Sequence, residues 1–180
     1  MHQELYEKGL IDGIEVFNEL EYYPSVLDWC LDKKLAVICN SDIHGVISHV
    51  YDLGKGYRPM TLVFARERSL GSIREAMSAQ RTVAFFDNKL AGKEEFLKAI
   101  FEASVSIKAT GVTDEDKREF FEIRNISSIP FEIETRKGES IYIPAESSLR
   151  IILDRSDTRD ATIKNLFTGS MSTLNVKLTY

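Results

Sequence analysis

The stretch LAVICNSDIHG, residues 35–45, begins as a buried strand and ends with a carboxylate and an imidazole two residues apart. A short apolar run bounded by polar residues suits a strand covered on both faces, as in a parallel sheet flanked by helices. In such sheets the working residues lie just beyond the C-terminal strand ends. On an extended backbone, side chains two apart project to one face, so Asp42 and His44 are expected to aim at a common target. An oxygen and nitrogen donor pair of this kind suits a divalent metal ion. The alternative is a strand-end turn in which Asp42 accepts backbone hydrogen bonds and His44 is merely exposed.

Working outward, GIEVFN (13–18) reads as a first strand, and PSVLDWCLDKK (24–34) as a helix with Pro24 in its first turn and lysines at its end. MTLVFA (60–65) is another strand. SLGSIREAMSAQRT (69–82) is expected to be a helix capped by Ser69, with Leu70, Ile73 and Met77 as its apolar stripe, leading into the strand TVAFF (82–86). GKEEFLKAIFEASV (92–105) closes the series as a helix with Phe96, Ile100 and Ala103 on one face. This alternation predicts a parallel α/β sheet or barrel over residues 1–107.

KATGVTDEDKRE (108–119) turns polar and charged, the expected composition of a linker, with DEDKRE a solvated face. The runs after it, FFEIRN, PFEIET, SIYIPA, SLRIILD, TIKNLF and TLNVKLTY, are short and alternating, which predicts a small antiparallel β-sandwich over 118–180. Pro130 and Pro144 fit strand ends or edges. The fold class is therefore α/β followed by all-β.

Composition narrows the function. A net charge of -5 and a pI near 5.3 argue against a broad grip on nucleic acid, which needs clustered Lys and Arg. No apolar run approaches the roughly 18 residues needed to cross a bilayer, so no membrane partner is expected. Cys30 and Cys39 lack the spacing of a disulfide scaffold or zinc knuckle and are read as small core residues. The residues after Met1, HQELYEKGL, carry no export signal. The expectation is cytoplasmic by default, or periplasmic or secreted if a preceding segment supplies a signal peptide.

Several other side chains are candidates. Glu15 and Asn18 belong to a strand whose end should neighbour that of LAVICN. Glu15 is costly to bury unpaired, so it either steadies a metal ligand or faces a helix lysine or solvent. Arg58, in the loop GVISHVYDLGKGYRP (45–59), is the candidate for a bidentate phosphate contact. His49 in the same loop and His2 near the start have no strand end to recommend them. Phe17, Tyr22, Tyr23 and Trp29 read as core and rim packing. No Walker loop, G-x-G-x-x-G, G-x-S-x-G or H-E-x-x-H occurs, which leaves metal chemistry as the reading with a mechanism.

The ordered series GIEVFN, YYPSVLDWCLDKKLAVICNSDIHG and RPMTLVFARERSLGSIREAMSAQRTVAFF resembles the closing portion of a PHP domain, the polymerase and histidinol phosphatase family of metal-dependent phosphoesterases. The resemblance implies part of a (β/α) barrel that holds Zn, Mn or Fe ions among His, Asp and Glu side chains and hydrolyses a phosphorylated small molecule. Asp42 and His44 are the positions matching the family's ligands, while Glu15 matches none. The family's N-terminal H-x-H strand has no counterpart, and the chain has 3 histidines in total. The expectation is thus a C-terminal segment of a longer enzyme, weak or inactive alone, with an open sheet edge, so that it either self-associates through that edge or repacks its α/β part around the β domain. Residues 118–180 resemble an immunoglobulin-like sandwich, expected to be a packing module. The rival expectation is a non-catalytic interaction protein whose sandwich binds a partner or a glycan.

Overall fold

LAVICN does form a strand, β3 (Ala36–Asn40), with Ala36, Val37 and Cys39 buried. The computed structural model describes residues 2–54, 56–153 and 160–178. In it β3 pairs in parallel with β1 (Gly13–Asn18). The short β2 (Glu21–Tyr22) turns back antiparallel on the end of β1. α1 (His2–Glu7) precedes β1, and α2 (Pro24–Lys33) makes the crossover from β2 to β3. Pro24 occupies the first turn of α2, and Lys34 ends it in the left-handed region at φ 56° with its N–H bonded to Cys30 O. Gly13 is required by close approach, because a Cβ there would stand 2.7 Å from Ala36 O and 2.9 Å from Ala36 Cβ.

The next strands depart from the predicted parallel order. β4 (Met60–Val63), β5 (Thr82–Phe86) and β6 (Lys89–Gly92) are antiparallel throughout. β6, which the periodicity did not single out, follows β5 through Asp87 and Asn88, with φ 45° and 57°. Two successive left-handed residues make a tight hairpin turn, and a hairpin can only reverse the chain. β3 is joined to this second sheet by side chains. Val37 N–H donates to Thr82 Oγ1 at 2.9 Å. Cys39 N–H donates to Thr61 Oγ1 at 2.8 Å, and that hydroxyl donates back to Cys39 O at 3.0 Å. The strands together form a curled sheet, part of a barrel wall.

α3 (Leu70–Ser78) has the expected Ser69 cap, whose hydroxyl accepts from Ser72 N–H. Its expected face is wrong: Leu70, Ile73 and Met77 are 66%, 38% and 37% exposed, and Ala76 is the buried residue. The helix meets its sheet through a small side chain, which a stripe drawn through large apolar residues passes over. α4 (Glu94–Ser104) is rotated similarly, burying Leu97, Phe101 and Ser104 in place of the Phe96, Ile100 and Ala103 face.

The chain divides into two compact units, residues 1–96 with 167–172, and residues 97–166 with 173–180. In the second unit β7 (Val105–Thr113) follows α4 directly and pairs with β8 (Glu119–Asn125). The polar segment expected as a linker is therefore mostly strand. Its register shifts between Ala109 and Thr113, around Gly111 at φ 72°, and such a bulge tolerates residues that a flat strand does not. β11 (Ser147–Leu153) pairs with the other side of β8. A second antiparallel sheet contains β9 (Phe131–Thr135), β10 (Ser140–Ile143), β12 (Asp160–Gly169) and β13 (Ser172–Lys177), with β9 between β10 and β12 and β13 on β12. β8 alternates buried and exposed residues as its sequence predicts. Most of the loop RSDTRDA (155–161) lies outside the described residues.

Pro130 stands just before β9 and Pro144 just after β10, at strand ends as expected. Each leaves a carbonyl that a buried asparagine satisfies. Asn125 Nδ2 donates to Pro144 O at 2.9 Å and to Ile129 O at 2.8 Å, and Asn165 Nδ2 donates to Pro130 O at 2.8 Å. Replacing Asn125, 1% exposed, with Ala takes a donor from both carbonyls, leaving them to the Ser127 and Ser147 hydroxyls at 3.2 and 2.7 Å, and removes the acceptor of Ser127 N–H; a buried unpaired group costs about 1–3 kcal/mol. Asn125→Ala should lower the urea unfolding free energy by about 1–3 kcal/mol. A loss under about 0.5 kcal/mol would show that the serine hydroxyls satisfy this corner without the asparagine.

Candidate functional site

The turn after β3 brings Asp42 and His44 together, although not by the extended backbone that the sequence suggested. β3 stops at Asn40, and Asp42 adopts φ 47°, a left-handed conformation that short polar Asp tolerates. The turn still leaves His44 Nε2 only 3.3 Å from Asp42 Oδ1, with the side chains 90% and 50% exposed respectively. Two donors bound to one Zn²⁺ at roughly 2.1 Å would themselves stand about 3.0–3.5 Å apart, so the observed separation fits joint ligation. As a complete site the residues do not fit. Among the described residues no group of three or more His, Cys, Asp and Glu could hold a metal ion. Two donors are half of a tetrahedral shell, so no reaction step follows from this pair alone.

Beside the turn, the ends of β1 and β3 are neighbours, with Asn18 opposite Asn40. The half-buried Glu15 carboxylate lies between them, accepting from Asn18 Nδ2 at 3.1 Å and from Asn40 Nδ2 at 2.5 Å. Neither a helix lysine nor open solvent is its main neighbour. The two amides hold an acidic group within the strand layer without an opposite charge. Asn18 Oδ1 is buried with no hydrogen-bond partner. The sequence carried this arrangement as an Asn closing both GIEVFN and LAVICN, a coincidence that becomes a contact once the strands are in register.

Arg58 is exposed, and its Nη1 donates to Pro59 O at 3.4 Å. That carbonyl contact neither aims the guanidinium at Asp42 nor fixes it. His49 is exposed at the end of a single helical turn, Ile47–His49. His2 is exposed in α1. Tyr51 is the residue that sequence reasoning missed. Its hydroxyl donates to Glu19 O at 2.6 Å and also lies 3.4 Å from Ser41 O, tying the loop to the residue preceding Asp42. Burial, followed by the charge of Glu19, raises its phenol above the ordinary value. Two tyrosines, Tyr51 and Tyr57, in the loop just after the D-x-H pair were the available signal.

No protein-family model matches the chain, and no curated protein does. Among solved structures it is similar to the crystal structure of a two-domain protein containing a predicted PHP-like metal-dependent phosphoesterase from Bacteroides vulgatus ATCC 8482. The two are 30% identical with a TM-score of 0.90, and the match covers 99% of this chain and 55% of that one. The chain thus spans little more than half the length of that protein.

Both cysteines are buried free thiols, as the sequence reading expected. Burial pushes Cys30 up to about 11 and Cys39 up to about 12, from an ordinary 9.0. Because the folded thiols hold their protons more tightly, their contribution to stability is complete below the unfolded value and is lost as pH rises toward the folded one. The urea midpoint should therefore fall as pH climbs from 9.0 toward 11–12, and Cys39→Ala should flatten that slope. At neutral pH the native chain should resist an aromatic disulfide reagent, and unfolding should release both thiols. Rapid labelling of the native protein would refute their burial.

Proposed function

We propose that this chain carries part of a PHP-like, divalent-metal-dependent phosphoesterase in which Asp42 and His44 supply two of the metal ligands. The carrying observation is the 3.3 Å convergence of these side chains at the end of a buried strand. It gains weight from 30% identity to the PHP-like protein across nearly the whole chain. The remaining ligands come from polypeptide outside these residues, and Zn, Mn and Fe are the candidate ions. A bound ion of this kind lowers the pKa of water and polarises a phosphoryl oxygen. The chain's own part is to hold a carboxylate and an imidazole at one point beyond β3. Arg58, exposed and with one long carbonyl contact, is free to turn its guanidinium toward the phosphate of a small phosphorylated substrate. The β domain, proposed as immunoglobulin-like, serves as a packing module, with no catalytic side chain assigned to it.

Assembly follows from the strand edges. β1 pairs with β3 along its length, but β2 covers its other edge only at Phe17 and Asn18. Among the described residues no strand pairs with the rest of that edge, and such edges recruit other chains. The isolated chain is expected to self-associate through it. Sedimentation that returns a monomer mass at every concentration tested would overturn this.

Calorimetric titration with Mn²⁺ or Zn²⁺ tests the ligand assignment. Modest binding is expected, weakened at least about tenfold by Asp42→Ala or His44→Ala, with slow hydrolysis of 4-nitrophenyl phosphate at best. Metal affinity indifferent to both substitutions would reject the proposal.

A further inference from the structure

The outer face of the sheet formed by β7, β8 and β11, within the second unit, carries a charge pattern that packing does not use. β8 buries Phe121, Ile123 and Asn125, so Glu122 and Arg124 stand on its exposed face. The antiparallel register sets two rows across the three strands: Ser106, Arg124 and Ser148, then Lys108, Glu122 and Arg150. With strands about 4.8 Å apart, each member of a row neighbours the next. These six residues line a concavity of about 410 Å³, in which the two short serines leave space beside the longer Arg124.

Three cations against one acid stand out in a chain whose net charge is -5. Arg150 Nη2 is paired with Glu122 Oε1 at 2.9 Å. Arg124 and Lys108 have no hydrogen bond or ion pair among the described residues. An unpaired guanidinium with a hydroxyl on either side is a seat for a carboxylate or sulfate, whose oxygens it meets with parallel N–H bonds. Glu122 decides which anion. It lies between Lys108 and Arg150 and only accepts, so it repels a second closely spaced charge and receives a donor such as a sugar hydroxyl. A nucleic-acid strand, charged at every residue, is disfavoured by that acid. One row further on, the half-buried Phe120 stands opposite Ile152, 39% exposed, an apolar bed for the C–H face of a ring.

We infer that this face binds an acidic saccharide, with a carboxylate or sulfate on Arg124, hydroxyls on Glu122 and the serines, and a ring against Phe120 and Ile152. The three rows, two residues apart along the strands, span about 14 Å, room for two sugar rings. The site uses none of the side chains assigned to phosphoester chemistry and stands apart from that reading.

The full chain is titrated calorimetrically with a chondroitin sulfate disaccharide, lactose, sodium sulfate and a short oligothymidylate. Saturable binding of the acidic disaccharide is expected, tighter than that of sulfate or the oligonucleotide, with none of lactose. Arg124→Gln should weaken it at least about fivefold and Lys108→Gln at least about twofold, with urea midpoints unchanged because both side chains are exposed. Glu122→Gln should raise oligonucleotide affinity relative to that of the disaccharide. No saturable binding of the disaccharide, or binding indifferent to Arg124→Gln, would overturn the inference. So would a disaccharide bound no tighter than sulfate, which would leave a bare anion patch, or an oligonucleotide bound more tightly than either.

Discussion

The placement of β3 is the constraint from which the candidate site follows. On one flank the strand is fixed by a parallel backbone ladder to β1. On the other, two threonine hydroxyls take the place of a ladder, with Thr61 both accepting from and donating to Cys39. A strand held by side-chain hydroxyls avoids running a full register with its neighbour, so the wall can bend there while the N–H groups of Val37 and Cys39 stay satisfied. Thr82, 1% exposed, is committed to this role, since a valine of similar shape would strand a buried amide. Whatever lies at residues 41–44 inherits its position from these bonds.

The end of β1 is set by the same register. Asn18 opposite Asn40 brings their amides onto Glu15, and the close fit of Gly13 against Ala36 lets the two strands start together. The Glu15 carboxylate is met by two neutral amides, and no cation pairs with it among the described residues. That differs from the surface ion pairs elsewhere in the chain, such as Arg150 with Glu122, which solvent largely screens. The strand-end region therefore has acidic character from within the sheet layer as well as from the exposed turn.

Much of this was legible in the sequence, for identifiable reasons. β1, α2 and β3 were readable because apolar runs, Pro24 and the terminal lysines all pointed the same way. The strands after residue 119 were readable because period-two alternation survives wherever one face is buried. What failed was whatever depends on a partner not adjacent in sequence. The inward faces of α3 and α4 are chosen by the sheets they meet, and Ala76 carries no large apolar signal. β6 is short and begins with a lysine, so only its Asp-Asn turn announced it. β7 read as a linker because its bulge admits Gly and polar residues. At the site, the D-x-H pair was visible but its conformation was not: side-chain spacing suggested an extended strand, whereas a left-handed Asp42 achieves the convergence.

That difference in conformation bears on the chemistry. A pair projecting from a strand would be as rigid as the sheet, whereas a pair formed across a turn is rigid only to the extent that the turn is tied down. Tyr51 supplies such a tie by bonding to Ser41 O and Glu19 O from the following loop. His44, with 90% of its side chain exposed, has no packing to restrain its ring. In water of high dielectric, attraction between a cation and one carboxylate amounts to only a few kcal/mol, which is why metal sites gather several donors in a dry enclosure. An exposed pair 3.3 Å apart has the spacing of a metal site without that enclosure. Under the proposed ligand role, ordering His44 and excluding water would both fall to the polypeptide that supplies the remaining ligands.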